Sequence, residues 1–322
     1  MKHLKKLVTA GCIAMLGVSG AALAQANFPD RPIQMIVAYS AGGGTDIAAR
    51  TLAPFIGKYL NGTVTVVNKP GAGGEVGFTE LALAKPDGYT IGFINTPNLV
   101  TIPIQRKTRY QLESFTPVSN VVNDPGGVQV RPDSSLKSVA ELVAYAKANP
   151  NAVTYGTTGI GSDDHLAMLA LERQAGVKMT HVPFPGSSAV RSALLGGHIT
   201  LGVFNMGEAV MMLKEKQIRS LGQMGESRWE MAPDVPTFKE QGFDIVQGSS
   251  RGIATPAGVP DAIVQKIADA VKKSIEDPEF QKKALEQSLP LDAAGPKQYA
   301  EMLYKTRDGY VELWKAQPWV KK

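Results

Sequence analysis

Ile33-Gln34-Met35-Ile36-Val37-Ala38 runs directly into Tyr39-Ser40-Ala41-Gly42-Gly43-Gly44-Thr45-Asp46. A helical pattern follows, with Ala48, Leu52, Phe55, Ile56 and Tyr59 on one face and Pro54 inside it. An apolar strand that ends in glycines and reopens as a helix is one half of a βαβ unit. The order then repeats. Val64 to Val67 is a strand, Asn68-Lys69-Pro70-Gly71-Ala72-Gly73-Gly74 a turn, and Glu75 to Ala84 a helix. Pro86-Asp87-Gly88 turns the chain into a third strand, Thr90 to Ile94. Strand, helix, strand, helix, strand predicts a doubly wound, largely parallel sheet.

A second α/β unit is predicted from about Gly127. Val128 to Val130, Val153 to Gly156, Thr180 to Pro183 and Ile199 to Phe204 read as strands. Helices opening at Ser138, Asp163 and Ala189 separate them. Pro260 to Glu276, Pro278 to Gln287 and a run from Pro296 towards Trp314 read as helices. Two α/β units and a helical return predict two lobes with a cleft between them.

The N-terminus reads as an export signal. Lys2, Lys5 and Lys6 precede an uncharged stretch, Leu7 to Leu23, and Ala22-Leu23-Ala24 fits the small-x-small cleavage pattern. Those first 24 residues hold three lysines and no acid, so their removal takes the formal charge from +5 to +2. That balance gives no electrostatic case for a nucleic-acid partner. Cys12 is the single cysteine, too close to Lys6 for a lipoprotein signal, so the mature chain needs no disulfide. Lys272-Lys273 and Lys282-Lys283 read as solvated helix faces.

Catalytic sets are missing from the pattern. Neither Gly42-Gly43-Gly44 nor Gly71-Ala72-Gly73-Gly74 completes a dinucleotide fingerprint, and no glycine loop continues into a P-loop. Ser162 and Ser187 lack the flanking glycines of a nucleophile elbow. His165, His181 and His198 show no metal-ligand spacing, and no cofactor is implied. Asp163-Asp164-His165 is either a metal cluster or, the preferred reading, a helix start capped by acids. Four polar or glycine-rich loops remain at strand ends: Ser40 to Asp46, Asn95-Thr96-Pro97-Asn98, Thr157 to Ser162 and Pro185 to Ser188. Open α/β sheets bind ligands there, where glycines admit a close approach and helix N-termini offer free N–H groups to an anion.

Across the mature chain the sequence resembles the extracytoplasmic solute receptors of the tripartite tricarboxylate transporter (TTT) system, the Bug proteins. The resemblance rests on the order and spacing of Phe28-Pro29-Asp30-Arg31-Pro32-Ile33, Gly42 to Asp46, Asn68 to Gly74 and Lys85-Pro86-Asp87-Gly88-Tyr89-Thr90. Val182-Pro183-Phe184 with Gly186, Pro233-Asp234-Val235-Pro236-Thr237 and Ala254 to Pro260 complete it. It implies a two-lobed type II periplasmic binding protein fold, each lobe a doubly wound mixed sheet, in a periplasmic monomer. Residues 27–122 with 249–322 would form the first lobe and 123–248 the second. It also implies a small carboxylate ligand and integral membrane TTT permease subunits as partners.

Carried over by position, Tyr39, Ser40, Ala41, Gly42, Gly43, Thr45 and Asp46 would hold the carboxylate. Thr157, Thr158, Ser162, Pro185, Gly186, Ser187 and Asn205 would face it. Asn95, Thr96, Asn98 and His165 join the expected set from the loop reading. Asn205 stands where relatives carry an acid, so an amino acid is expected to bind poorly; otherwise it is a capping residue. Arg251 is either a two-pronged carboxylate ligand or, alternatively, an interlobe ion pair or a solvated hinge side chain. Uptake is the leading expectation. A sensory role on a receptor ectodomain, or an exported enzyme, are the alternatives.

Overall fold

The computed structural model describes residues 28–320; the export signal and Cys12 lie outside the described residues. Two mixed sheets form two lobes. In the first, β1 (Ile33–Val37) pairs in parallel with β2 (Val64–Asn68) and β3 (Thr90–Thr96). Helices α1 (Gly44–Leu60) and α2 (Glu75–Ala82) connect them, as the alternating pattern requires. β10 (Gly248–Pro256) then lies antiparallel between β3 and β4 (Phe115–Pro125), and β11 (Leu291–Ala294) closes the edge. The order is β11-β4-β10-β3-β1-β2.

The second sheet has the order β7-β6-β8-β5-β9. It is built from β5 (Gly127–Val130), β6 (Thr154–Thr157), β7 (Thr180–Pro183), β8 (Leu201–Val203) and β9 (Arg219–Gln223). Its helices are α4 (Val139–Ala148), α5 (Asp163–Ala175), α6 (Ser187–Leu195) and α7 (Met206–Lys214). The first lobe also carries α3 (Asn98–Gln105), α8 (Asp261–Glu276), α9 (Pro278–Glu286) and α10 (Pro296–Ala316). Both lysine pairs lie exposed on α8 and α9.

Each lobe has its own core. Met35, Phe93 and Ile253 lie fully buried in the first, and Val130, Leu142 and Leu171 in the second. The chain passes between sheets at the β4-to-β5 turn and again on the way from β9 to β10. These crossing strands are polar yet buried. Asn120 donates to the Asp292 carbonyl (2.6 Å) and accepts from the Ser250 hydroxyl (2.7 Å). Internal pairing of that kind removes the desolvation cost of burying an amide.

Several strand ends and helix starts meet where the lobes face each other. Gly43 precedes α1, Ser162 caps α5 through the His165 N–H (3.1 Å), Gly186 precedes α6 and Asn205 precedes α7. Four helix N-termini therefore converge on the interlobe surface.

Candidate functional site

The lobes are shut on one another. The Ser40 N–H donates to the Pro185 carbonyl (3.4 Å), the Thr101 hydroxyl to the Gly161 carbonyl (2.8 Å), and Arg191 to the Gly42 carbonyl. Glycines make this approach possible. A Cβ on Gly159, whose φ is +130°, would stand 3.0 Å from the Gly73 Cα across the gap.

Between the lobes lies a cavity of about 20 Å³, lined by Tyr39, Gly43, Gly44, Thr45, Asn95, Thr158, Asp163, Ser187, Asn205, Glu208, Ser249 and Arg251. It holds about one water. A larger guest needs the lobes to part and reclose around it. A groove of about 1200 Å³ also opens behind the crossing strands, lined by Trp229, Gln247 and Tyr310 among others. It lacks the converging helix N-termini, so the small cavity is the better ligand site.

Among the expected residues, Tyr39, Gly43, Thr45, Asn95, Thr158, Ser187, Asn205 and Arg251 line the cavity. The others fall off its wall, each for a visible reason. Asp46 is tied inside the first lobe, accepting from the Gly42 N–H (2.9 Å), Arg50 (2.9 Å) and Asn68 (2.8 Å). Those bonds hold its carboxyl below its ordinary pKa despite burial. Ser40, Gly42, Pro185 and Gly186 belong to the closing lips, where Gly186 sits against Ser40, and Ala41 is exposed between Ser40 and Gly42. Thr96 lines the rear groove, and Asn98 donates to the Gly73 carbonyl (2.9 Å). Thr157 bonds His181 (2.7 Å), and Ser162 is the α5 cap.

His165 is packed rather than poised. Its ring stacks on His181 at 4.1 Å, and its Nδ1 accepts the Gly161 N–H (3.2 Å). Burial holds His165 down to about 3, with the neighbouring His181 adding to the effect, and holds His181 down to about 4. Below pH ~6.5 the unfolded chain takes up protons that the folded pair refuses, so stability is lost as pH falls towards about 4. His181→Phe keeps the stack and cannot charge. Its stability relative to the unmutated protein is expected to improve by about 2 kcal/mol between pH ~7 and ~4.5. Thermal melts over that range check this; a difference independent of pH would mean that the folded pair charges freely.

Gly44, Asp163, Glu208 and Ser249 line the cavity without having been singled out as ligand groups from sequence. Together with Arg251 they dominate its electrostatics. Arg251 is 2% exposed; one terminal nitrogen donates to Asp124 (3.1 Å), the other to Asn205 (2.8 Å) and Glu208 (3.1 Å). Glu208 also pairs with Arg191 (3.1 Å). Asn205 donates to Asp163 (2.8 Å) and to the Asp124 carbonyl (2.9 Å), so it bridges the charged groups. Its side chain makes no capping bond, which corrects the capping reading.

Four carboxylates, Asp124, Asp163, Asp164 and Glu208, thus share one buried guanidinium and one partly exposed one. Burial raises Asp124 to about 7; Glu208 and Asp163 add to that rise and together with burial outweigh Arg251. Asp163 and Asp164 are raised too, by burial first, with Asp163 pushing Asp164 further. Asp163 and Asp164 occupy the first turn of α5, while Ser162 is the actual cap; among the described residues no three His, Cys, Asp or Glu side chains are placed so that they could hold a metal ion together.

Two lobes, a hinge of crossing strands and a polar cavity at converging helix N-termini define a solute-binding receptor. The family model "Tripartite tricarboxylate transporter family receptor" matches residues 48–310, and the chain belongs to that family. It is 36% identical over 300 residues to the "UPF0065 protein in gbd 5'region" of Cupriavidus necator, covering 92% of this chain and 91% of the relative. The periplasmic binding protein BugD superposes with a TM-score of 0.85 at 29% identity, over 90% of this chain and 98% of that one. MatC from Rhodopseudomonas palustris, with bound malate, gives 0.82 at 25% identity, over 88% and 99%. Family and fold are those of periplasmic solute-binding receptors, not of enzymes.

Proposed function

We propose that this chain captures a small organic carboxylate in the periplasm and presents it to the membrane subunits of a tripartite transporter. The observation that carries this reading is the convergence of four helix N-termini on one interlobe cavity. Each N-terminus leaves backbone N–H groups without intrahelical partners and carries roughly half a positive charge. Gly43-Gly44 and Ser187 bring N–H groups to the wall from opposite lobes, and Thr45, Thr158 and Ser249 add hydroxyls. A carboxylate matches such a wall, and the malate held by MatC has that chemistry.

Expected ligand-contacting residues are therefore Tyr39, Gly43, Gly44, Thr45, Thr158, Ser187 and Ser249. Asn205 and Arg251 support the wall through their protein partners. Asp163 supplies an acid beside Asn205, so the sequence argument against amino-acid ligands loses its premise. Dicarboxylates of four to six carbons are the first ligands to test, because MatC holds malate and the similarly folded Rpa4515 of R. palustris, 25% identical, holds adipate.

The test is a thermal-shift panel of malate, succinate, adipate, citrate, benzoate and nicotinate. Binding to the folded state alone raises the melting point by mass action, by ~2.7 kcal/mol of added stability at a hundredfold excess over Kd. A saturable shift with at least one acid is expected. No shift with any of them would overturn the carboxylate reading.

A further inference from the structure

We propose that the cleft takes its carboxylate together with one proton, held at the Asp163–Asp164 edge of the cavity, so that a dicarboxylate is captured as its singly protonated form. This rests on the carboxylate reading above and names the species that reading admits.

The geometry that carries it is an imbalance of charge and of hydrogen-bond donors. Asp163 lines the cavity, and Asp164 stands beside it with its Oδ2 accepting from the Thr158 hydroxyl (3.3 Å). Asp124 from β4 and Glu208 from α7 face the pair, and so does Arg251 from β10. Tyr39 after β1 and Tyr310 from α10 also feel the Asp163 charge. Arg251 is the one guanidinium turned towards the pair among these groups; its terminal nitrogens already serve Asp124, Glu208 and Asn205, and only its Nε is left without a partner. A dianion entering this enclosure would add two charges to a surplus of carboxylates. In a water-poor site such repulsion is relieved most cheaply by binding a proton.

Unfilled acceptors make the same point independently. Asp164 Oδ1 and Asn95 Oδ1 are buried and have no hydrogen-bond partner, and Asn95 lines the cavity. A fully ionised carboxylate only accepts, so it leaves both unpaired. A carboxylic O–H on the ligand, or on the Asp pair, provides the missing donor. Tyr39 Oη, also unpartnered on the cavity wall, can then donate to the ionised end.

Isothermal titration with malate and adipate decides the matter. At pH ~7, in PIPES and in Tris, the dependence of the observed enthalpy on the buffer's ionisation enthalpy counts protons. About one proton taken up per ligand is expected, with Kd weakening roughly tenfold per pH unit above neutrality. Asp164→Asn supplies the donor permanently; its proton uptake is expected to fall towards zero and its affinity to lose pH dependence. Saturable binding without proton uptake in the unmutated protein would overturn the proposal, whether or not the variant folds. So would aspartate binding tighter than malate with no uptake, because a ligand ammonium would then be the compensating charge. No binding by any acid would instead overturn the parent carboxylate reading.

Discussion

Arg251→Ala is expected to cost roughly 3–5 kcal/mol of folding stability, the usual penalty for removing one partner of a buried ion pair. The guanidinium is 2% exposed and its loss strips donors from Asp124, Glu208 and Asn205 at once. Asp124 is 1% exposed, Asn205 4% and the Glu208 side chain 5%, so water replaces little of the loss, although Glu208 keeps its pairing with Arg191. Protonation of Asp124, already raised to about 7, returns part of the loss at acid pH, so the deficit should be smaller at pH ~5 than at pH ~8. Chemical denaturation at both pH values measures it. A guanidinium free to grip a ligand carboxylate would make the loss larger for dicarboxylates than for monocarboxylates. With its terminal nitrogens bonded to protein groups, Arg251 is instead expected to weaken both classes alike. Arg251→Lys should recover the charge but not the fork that reaches Asp124 and Asn205 together.

Gly44→Ala is the second large effect, and it acts on closure rather than on folding. Gly44 opens α1 with an ordinary helical backbone, so alanine is tolerated there and is the better helix former. In the shut form, however, the added methyl would run into the Glu208 carboxylate from the other lobe and the Arg251 guanidinium. Overpacking at a well-fitted contact costs ~1–3 kcal/mol, which reads as about a ten- to hundredfold loss of ligand affinity. Parting the lobes carries Glu208 away and leaves only the contact with the Arg251 terminal nitrogen, on the same lobe as Gly44, so the melting point of the ligand-free protein should move less than the affinity does. Calorimetric affinity and a thermal melt, taken together, separate this from simple destabilisation: an unchanged Kd would mean that Gly44 does not approach Glu208 when ligand binds.

Much of this was legible in the order of residues. The β1–α1 and β2–α2 units stand out because a continuous apolar run and a 3.6-residue period give opposite signals on either side of a glycine turn. The strands that carry the hinge did not stand out. β4 reads Phe-Thr-Pro-Val-Ser-Asn-Val-Val-Asn-Asp-Pro, and β10 reads Gly-Ser-Ser-Arg-Gly-Ile-Ala-Thr-Pro. Such sequences look like loops because their polar side chains are satisfied by partners distant in the chain. Asn120 and Ser250, 130 positions apart, are one instance. Likewise α3, with Pro103 inside it, hid behind the turn signal of Asn95 to Asn98.

The site was legible as loops but not as electrostatics. Glycines and hydroxyls at strand ends mark Tyr39, Gly43, Thr45, Thr158 and Ser187. Glu208 carries a weaker signal, an acid in the first turn of a helix, which fits any helix start. Only the fold reveals that this first turn, the Asp163 turn and the crossing strand β10 meet at one cavity. Asp46 shows the converse error, since an acid in a glycine loop looks like a ligand group until its three donors are seen.

A clamshell that closes on a carboxylate brings its two lobes together as the ligand binds. Fluorescence energy transfer between labels on α9 of the first lobe and α4 of the second tests it most directly, because it reads the interlobe distance during a titration with malate or adipate. A saturable rise in transfer with one ligand per chain is expected, displaced in Gly44→Ala to about ten- to hundredfold higher ligand concentration. A ligand that binds tightly while the interlobe distance stays fixed would contradict it.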